Sequence, residues 1–223
     1  MTLFRLDASI RREGSVSRDV ADTVQSAWMR NHPDDTVVRR DLTADPLPSD
    51  AWMSAASATG VPEEERTPEQ RSALELAATL ADEVLAGDAA VIASPLYNFG
   101  VSQHLKTWID LLITDPRFGP GAQPLAGRPL TVVMARGGGY GEGTPREGWD
   151  HATPYLRRIF ADAFGADVTV VVAELTLADV VPAMAELRPI AAESRAEAHK
   201  LAEATGRAHA ERVRSATRST SAA

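Results

Sequence analysis

Three short segments of this sequence carry residue types that suit a phosphorylated ligand with a flat ring. The first, residues 7–18, places serine hydroxyls just before a predicted helix. A helix start offers unpaired N–H groups and the positive end of the helix dipole, so a phosphate group suits that position. We predict phosphate contacts from Ser9, Ser15, Val16 and Ser17. A turn followed by an ordinary capped helix is the alternative for this segment taken alone.

The second segment follows an apolar run at residues 89–94 and is rich in aromatic and turn-forming residues. The residues expected to contact a ligand here are Pro95, Leu96, Tyr97, Asn98 and Phe99. Asn98 tolerates unusual backbone angles, and Gly100 permits close approach of the main chain. The segment could therefore present backbone N–H groups to the edge of a planar ring. The alternative is that Tyr97 and Phe99 only pack the loop down.

The third segment is a run of glycines that follows the apolar stretch at residues 130–135. The residues expected to contact a ligand are Arg136, Gly137, Gly138 and Gly139. Consecutive glycines let a main chain lie flat against a ligand, with N–H groups turned toward its carbonyl oxygens. A mobile surface loop is the alternative for this segment alone. Because all three segments follow predicted strands, a chance combination is a poor explanation.

Strand and helix signals alternate along the chain. Apolar runs predict five strands, at residues 3–6, 36–41, 89–94, 130–135 and 168–173. Between them apolar residues recur at helical spacing, and a last helical stretch covers residues 178–208. The alternation predicts an α/β fold of three layers, in which helices cover both faces of a mostly parallel sheet. Ligands of such sheets bind beyond the carboxyl ends of the strands, which is where the three segments lie.

The length of 223 residues suits a single domain. We predict that this domain spans residues 1–210 and that residues 211–223 form a frayed tail. The net charge of −8 argues against a nucleic-acid partner. No apolar run is long enough for a membrane helix, and the start lacks the pattern of a signal peptide, so we expect a cytoplasmic protein.

Several common site chemistries are excluded by the residues present. The absence of cysteine excludes disulfides, thiolate zinc sites and cysteine nucleophiles. No Walker-type loop, Gly-x-Gly-x-x-Gly motif, Gly-x-Ser-x-Gly elbow or metal-site spacing occurs, and no catalytic side chain is predicted. Trp28 and Trp108 are expected in the core. We expect His32, His199 and His209 to be exposed.

Together the motifs resemble those of FMN-dependent NADH-azoreductases, bacterial relatives of the quinone reductases. The resemblance covers residues 3–175. It rests on Ser9 with residues 15–17, on Pro-Leu-Tyr-Asn-Phe with the following Gln-His-Leu-Lys-Thr-Trp-Ile-Asp at 103–110, and on Arg-Gly-Gly at 136–138. The sequence departs from the family pattern at Ala135, where the family has serine, and in a shorter loop at residues 114–128.

The resemblance implies a flavodoxin-like fold with a five-stranded parallel sheet in the order 2-1-3-4-5, and a homodimer with one FMN per subunit. It implies that the first segment binds the FMN phosphate, the second the flavin ring and the third its pyrimidine end. It also implies a ping-pong reaction, in which NADH or NADPH reduces the flavin and leaves before a quinone or azo compound takes the electrons. We expect Phe118 and Tyr140 to contact that substrate.

Other functions fit the same residues. One is a flavodoxin-type electron-transfer protein without an NAD(P)H site of its own, although residues 46–68 and the C-terminal helix give this chain more surface than a carrier needs. Another is a quinone or aromatic reductase that tailors a natural product. A flavin-free binding module is the remaining alternative, and a yellow purified protein would exclude it.

Overall fold

The computed structural model of the protein describes residues 1–30 and 33–221. Its centre is a sheet of five parallel strands, β1 (Thr2–Asp7), β2 (Thr36–Asp41), β3 (Ala89–Pro95), β4 (Pro129–Ala135) and β5 (Asp167–Ala173). The strand order is β2-β1-β3-β4-β5, and every neighbouring pair is parallel. The predicted flavodoxin-like sheet and its strand order are therefore confirmed.

Helices connect the strands throughout the described part of the chain. They are α1 (Val16–Met29), α2 (Ala51–Ser57), α3 (Pro68–Leu85), α4 (Gln103–Leu112), α5 (Ala152–Arg157) and α6 (Arg188–Ser221). Side chains at the N-cap position close the starts of α3 and α4, because Thr67 accepts from the N–H of Gln70 and Ser102 accepts from the N–H of Leu105. None of these helices has the length and apolar character needed to cross a membrane.

The sheet separates two apolar layers. On one face Leu3, Val91 and Val133 pack with α1 and α6, and Trp28 is buried in this layer. On the other face Phe4 stacks on Trp108 of α4 with ring centroids 6.2 Å apart, among residues of α2, α3 and α5. Both tryptophans are at most 1% exposed, so their predicted place in the core is confirmed. The two layers hold the strands, so the loops at the carboxyl ends start from fixed points.

A glycine sets the distance between the two helices on the first face. A Cβ atom at Gly206 of α6 would lie 2.3 Å from the carbonyl oxygen of Val24 and 2.9 Å from the Cβ of Ala27, both on α1. Real Cβ atoms do not approach a backbone oxygen so closely, so glycine lets the helices pack at this spacing. The position of α1 on the sheet therefore depends on α6.

The last helix is longer than the sequence predicted. α6 starts after a 3₁₀ turn at Pro182–Leu187 and continues past the predicted end near residue 208. Ala210 and Val213 are buried in the layer beside α1, which explains why the helix persists into the segment where we expected a frayed tail. Residues 222 and 223 of that tail lie outside the described residues. The domain boundary at residue 210 stays a prediction.

Two histidines expected to be exposed are partly buried. Nδ1 of His199 lies 2.8 Å from Oγ1 of Thr23, and Nδ1 of His209 lies 3.4 Å from Oγ1 of Thr131 on β4. Burial lowers the pKa of His209 to about 4. The prediction was wrong for these two side chains because both lie on the face of α6 that turns toward α1 and the sheet. His32 lies outside the described residues.

Candidate active site

The parallel sheet brings the three predicted segments to one cavity at the carboxyl ends of β1, β3 and β4. We call it the inner cavity. Its lining includes Ser9, Arg11, Gly14, Ser15, Val16, Ser17, Pro95, Leu96, Tyr97, Ala135, Gly137, Thr176 and Leu177. Ser9 and Tyr97 connect two of the segments directly, since their hydroxyl oxygens lie 3.4 Å apart. The segments thus meet in space although they are distant in the sequence.

The start of α1 is open toward the inner cavity. Ser15 occupies the N-cap position with extended backbone angles, yet its side chain makes no capping hydrogen bond and instead lies 3.3 Å from the hydroxyl of Ser17. In the described part of the chain, the N–H groups of Val16 and Ser17 donate to no protein acceptor. Unlike α3 and α4, this helix therefore keeps its first N–H donors and its positive dipole end available for an anion.

Arg18 holds the first loop in place through hydrogen bonds to its carbonyl oxygens. Its guanidinium donates to both carboxylate oxygens of Asp41 at 2.6 and 2.9 Å, and to the carbonyl oxygens of Ser9 and Arg11 at 3.0 and 3.1 Å. Thr43 donates to the same Ser9 carbonyl at 2.7 Å. The hydrogen bonds from Arg18 hold the pKa of Asp41 well below its usual range, so this carboxylate stays ionised and keeps its ion pair with Arg18.

A buried network of charged side chains adjoins Arg18 and Asp41. Arg5 and Asp7 of β1 are both fully buried, and their Nη2 and Oδ1 atoms lie 3.1 Å apart. Arg39 of β2 donates to Oδ2 of Asp7 at 2.7 Å, and Arg18 lies 3.6 Å from the same carboxylate. A buried carboxylate needs such partners to stay ionised. The end of β1 is therefore fixed both by the strand ladder and by these ion pairs.

The second loop is a tight reverse turn with unusual backbone angles. Tyr97 and Gly100 exchange two backbone hydrogen bonds, of 3.0 and 2.9 Å. The two residues between them have positive φ angles, +48° at Asn98 and +67° at Phe99. That pattern is a type I′ turn, whose second central position normally holds glycine. Within the described residues the N–H groups of Asn98 and Phe99 have no acceptor, and Phe99 is 39% exposed.

The third loop is held by Arg136 and exposes its glycines. Arg136 pairs with Asp150 at 2.5 Å and with Glu174 at 2.8 Å, and its N–H donates to the carbonyl of Ala173 at 2.8 Å. Among the described residues, the N–H groups of Gly137, Gly138 and Gly139 donate to no acceptor. The side chain of Arg136 thus serves the loop itself, and the donors left for a ligand are those of the glycines.

A second depression, which we call the outer cavity, adjoins the inner one. Its lining includes Ile10, Leu96, Tyr97, Asn98, Phe99, His104, Gly137, Gly138, Tyr140, Arg146 and Leu177. Tyr97, Leu96, Gly137 and Leu177 belong to both cavities, so the two form one continuous recess. Tyr140 stands here, as expected of a residue proposed to contact a substrate.

Phe118 lies elsewhere. It is 2% exposed, and its ring meets that of Phe164 edge-on with centroids 5.0 Å apart inside the core. Asp115, which starts the 3₁₀ turn Pro116–Phe118, accepts from the N–H of Arg117 at 2.9 Å and so directs this phenylalanine inward. The structure does not bring Phe118 to either cavity, and Arg136 and Gly139 also lie outside both linings.

The sequence reasoning missed the loop that follows β5. Thr176 and Leu177 line the inner cavity, and Leu175 has a positive φ of +58°. No residue type in this loop indicates a ligand, but its strand neighbours β4, and the rule for carboxyl ends of parallel strands applies to it equally. Arg11 was also missed, although a cation beside serine hydroxyls is a fair signal of a phosphate.

Comparisons with known proteins agree with this architecture. The profile of the family described as "Flavodoxin-like fold" matches residues 1–210. A Parafrankia protein named FMN-dependent NADH:quinone oxidoreductase is 40% identical over 204 residues, which cover 90% of this chain and 96% of the relative. A protein of the same name from Streptomyces avermitilis is 38% identical over 213 residues, covering 95% and 98% of the two chains.

A solved structure has the same fold over nearly its whole length. The crystal structure of azoreductase AzrA superimposes with a TM-score of 0.75 at 25% sequence identity. The match covers 93% of this chain and 99% of that azoreductase.

Proposed function

We propose a function on the basis of the family, because this chain belongs to the flavodoxin-like family of FMN-dependent NADH:quinone oxidoreductases. It is an FMN-dependent enzyme that takes electrons from NADH and reduces quinones, and azo compounds are further substrates. The observation that carries the proposal is the meeting of three loops with unpaired N–H donors at one recess.

The start of α1 is the proposed phosphate site. Ser9, Ser15 and Ser17 supply hydroxyls there, and Val16 and Ser17 supply unpaired main-chain donors. A phosphate dianion would accept from these groups and meet the positive end of the helix dipole. The absence of a capping side chain at Ser15 supports this role, because a cap would use the donors that the phosphate needs.

The ring of the cofactor would lie across the two cavities. Pro95 to Phe99 would hold its edge through the free N–H groups of Asn98 and Phe99, and the glycines after Arg136 would meet its pyrimidine end. The main-chain donors on both loops fit a flavin, whose ring edge carries carbonyl oxygens and nitrogens. Arg136 takes part through the ion pairs that hold the third loop in place.

The chemistry itself belongs to the cofactor, since bound FMN accepts hydride from a nicotinamide and returns the electrons to an oxidant. The chain would bind and orient the ring and would leave one open recess for the reaction partners. Tyr140 and the rim of the outer cavity would meet whichever partner enters. One recess for two partners supports a ping-pong sequence, in which the nicotinamide leaves before the quinone binds.

A spectroscopic experiment tests the proposal. The purified protein is reconstituted with FMN and mixed with NADH without oxygen, and the visible absorbance of the oxidised flavin is followed. Bleaching by NADH followed by return of colour on adding a quinone is expected. A flavin that NADH does not bleach would favour the electron carrier, and a colourless protein that takes up no FMN would exclude the proposal.

We also propose a cytoplasmic homodimer. A nicotinamide donor is available in the cytoplasm, which supports that compartment. Large apolar side chains at the surface support self-association, among them Trp52 and Met53 of α2, which are 50% and 65% exposed. Light scattering after size exclusion would give twice the protomer mass of 23.9 kDa. A mass equal to one protomer would contradict the dimer.

A further inference from the structure

Three aromatic side chains contact one another beside the outer cavity: Phe99 and Tyr140 line it, and Trp149 packs against Phe99. The ring of Phe99 meets that of Trp149 edge-on at a centroid distance of 5.4 Å, and that of Tyr140 at 6.4 Å. Phe99 is 39% exposed and Trp149 51%. Exposed aromatic side chains that form a group, rather than stand singly, mark a surface that binds flat apolar molecules.

An arginine completes this rim. The Cζ atom of Arg146 lies 5.8 Å from the centroid of the Tyr140 ring, within the range of a cation–π contact. A Cβ atom at Gly138 would lie 2.7 Å from Nη1 of Arg146, so the missing side chain at Gly138 makes room for the guanidinium above the third loop. Arg146 is thereby directed into the outer cavity, which it lines.

The charge of Arg146 has no carboxylate partner in the described part of the chain. Three acidic groups of this loop and of the strand end beside it are engaged with other partners. Asp150 and Glu174 pair with Arg136, and Glu147 accepts from the N–H of Gly143 at 2.8 Å. A planar guanidinium with free donors in a recess recognises carboxylates and sulfonates.

We propose that Phe99, Tyr140, Trp149 and Arg146 form a subsite for an electron acceptor that is both aromatic and acidic. The rings contact the plane of the acceptor, and Arg146 pairs with its carboxylate or sulfonate group. The inference rests on the proposed function and deepens it, because it names the chemical class of acceptor that the enzyme prefers. Neutral quinones use the same recess without the ion pair.

The test compares two acceptors that differ by one acidic group, 1,4-naphthoquinone and its 2-sulfonate. The holoenzyme is first reduced with NADH, and its reoxidation by each acceptor is followed by stopped-flow absorbance. We measure the ratio of the two second-order rate constants, sulfonate over neutral. Arg146→Gln should lower this ratio roughly tenfold, as expected for the loss of one charge-assisted hydrogen-bonded pair. Arg146→Glu should lower it further.

A matched arginine outside the recess serves as the control. Arg157 of α5 is exposed and lines neither cavity, so Arg157→Gln should keep the wild-type ratio. Trp149→Ala should slow both acceptors together, because it removes apolar surface and no charge. An Arg146→Gln variant that slows both acceptors equally, or that slows only the reduction by NADH, would overturn the proposal. The second outcome would assign Arg146 to the diphosphate of the nicotinamide.

A binding measurement separates the subsite from the reaction. Equilibrium dialysis of the oxidised holoenzyme with 2-naphthalenesulfonate, which cannot be reduced here, should show binding that weakens roughly tenfold in Arg146→Gln. If the wild-type enzyme reduced neither naphthoquinone, the proposed function would fail, and this measurement alone would still decide the subsite. Equal binding by wild type and Arg146→Gln would exclude it.

Discussion

Arg18 joins four acceptors with a single guanidinium, and two of these acceptors are carbonyls of the loop proposed to bind phosphate. Arg18 lines neither the inner nor the outer cavity; it acts by holding Ser9 and Arg11 in place while Asp41 neutralises its charge. A positioning residue of this kind should affect the phosphate end of a ligand more than the ring end.

We expect Arg18→Gln to weaken FMN binding about tenfold, or about 1.4 kcal/mol, while the affinity for riboflavin, which lacks the phosphate, stays nearly constant. Titration of each flavin with fluorescence detection measures both values. Arg30→Gln is a suitable control, because Arg30 lies just beyond the same helix and makes an exposed ion pair with Glu203. A parallel loss of riboflavin affinity would mean that Arg18 supports the fold in general.

The positive φ of Phe99 predicts that a glycine variant at this position is more stable than an alanine variant. Phe99→Ala and Phe99→Gly remove the same ring, but only glycine adopts a φ of +67° without strain. Phe99→Gly should therefore be about 1 kcal/mol more stable than Phe99→Ala by urea denaturation, whereas at most ordinary positions alanine is the more stable. Equal free energies of unfolding would show that the turn relaxes in solution.

At the scale of elements, α1 and α6 approach each other most closely at Gly206. In an isolated helix the change of glycine to alanine would stabilise by up to about 1 kcal/mol. At Gly206 the added methyl group would strike the carbonyl of Val24, so Gly206→Ala should instead destabilise by about 2 kcal/mol.

Thermal or chemical denaturation measures that change. The exposed Ala208 on the same helix provides the opposite reference, since Ala208→Gly should cost about 1 kcal/mol there through helix propensity alone. A stabilising Gly206→Ala would mean that the two helices separate easily and that their spacing is not fixed by this residue.

The elements were the most predictable part of the molecule. Alternating apolar runs identified all five strands of the sheet. The end of α6 was missed because its sequence there is polar on most sides, and only Ala210 and Val213 reveal the buried stripe. Charge partners were not predictable, because Arg18 and Asp41 meet only after β1 and β2 are paired.

Within the candidate site, residues close to strand ends were predictable and the loop residue Phe118 was not. Ser9, Ser15 and Tyr97 came together as expected, because strand ends fix the roots of their loops. Phe118 did not, because a loop between α4 and β4 can turn an aromatic ring inward or outward with the same sequence. The role of each residue toward a ligand stays a prediction.

For the whole molecule, the partly buried His209 predicts how stability depends on pH. Its pKa is lowered to about 4 in the folded state by burial and lies near 6.5 in the unfolded chain, so the unfolded state binds the proton more readily. This contribution to stability is complete above about pH 6.5 and is lost as the pH falls toward 4, with a slope of up to about 1.4 kcal/mol per pH unit.

Denaturation curves at several pH values between neutral and pH 4 measure this slope. His209→Gln should flatten it, because glutamine takes up no proton in that range. Asp41 adds acid sensitivity only at still lower pH, since its folded pKa is depressed and its contribution disappears below the range of ordinary carboxyl groups. An unchanged slope in His209→Gln would show that the histidine is hydrated in solution.

The close packing at Gly206 also couples α1, near the start of the chain, to the last helix α6. The helix whose first turn borders the inner cavity rests, along its length, on residues near the C-terminus. Proteolytic trimming or a bulky fusion at the C-terminus should therefore release cofactor before the sheet melts. The yellow colour of a preparation would then report whether its final helix is intact.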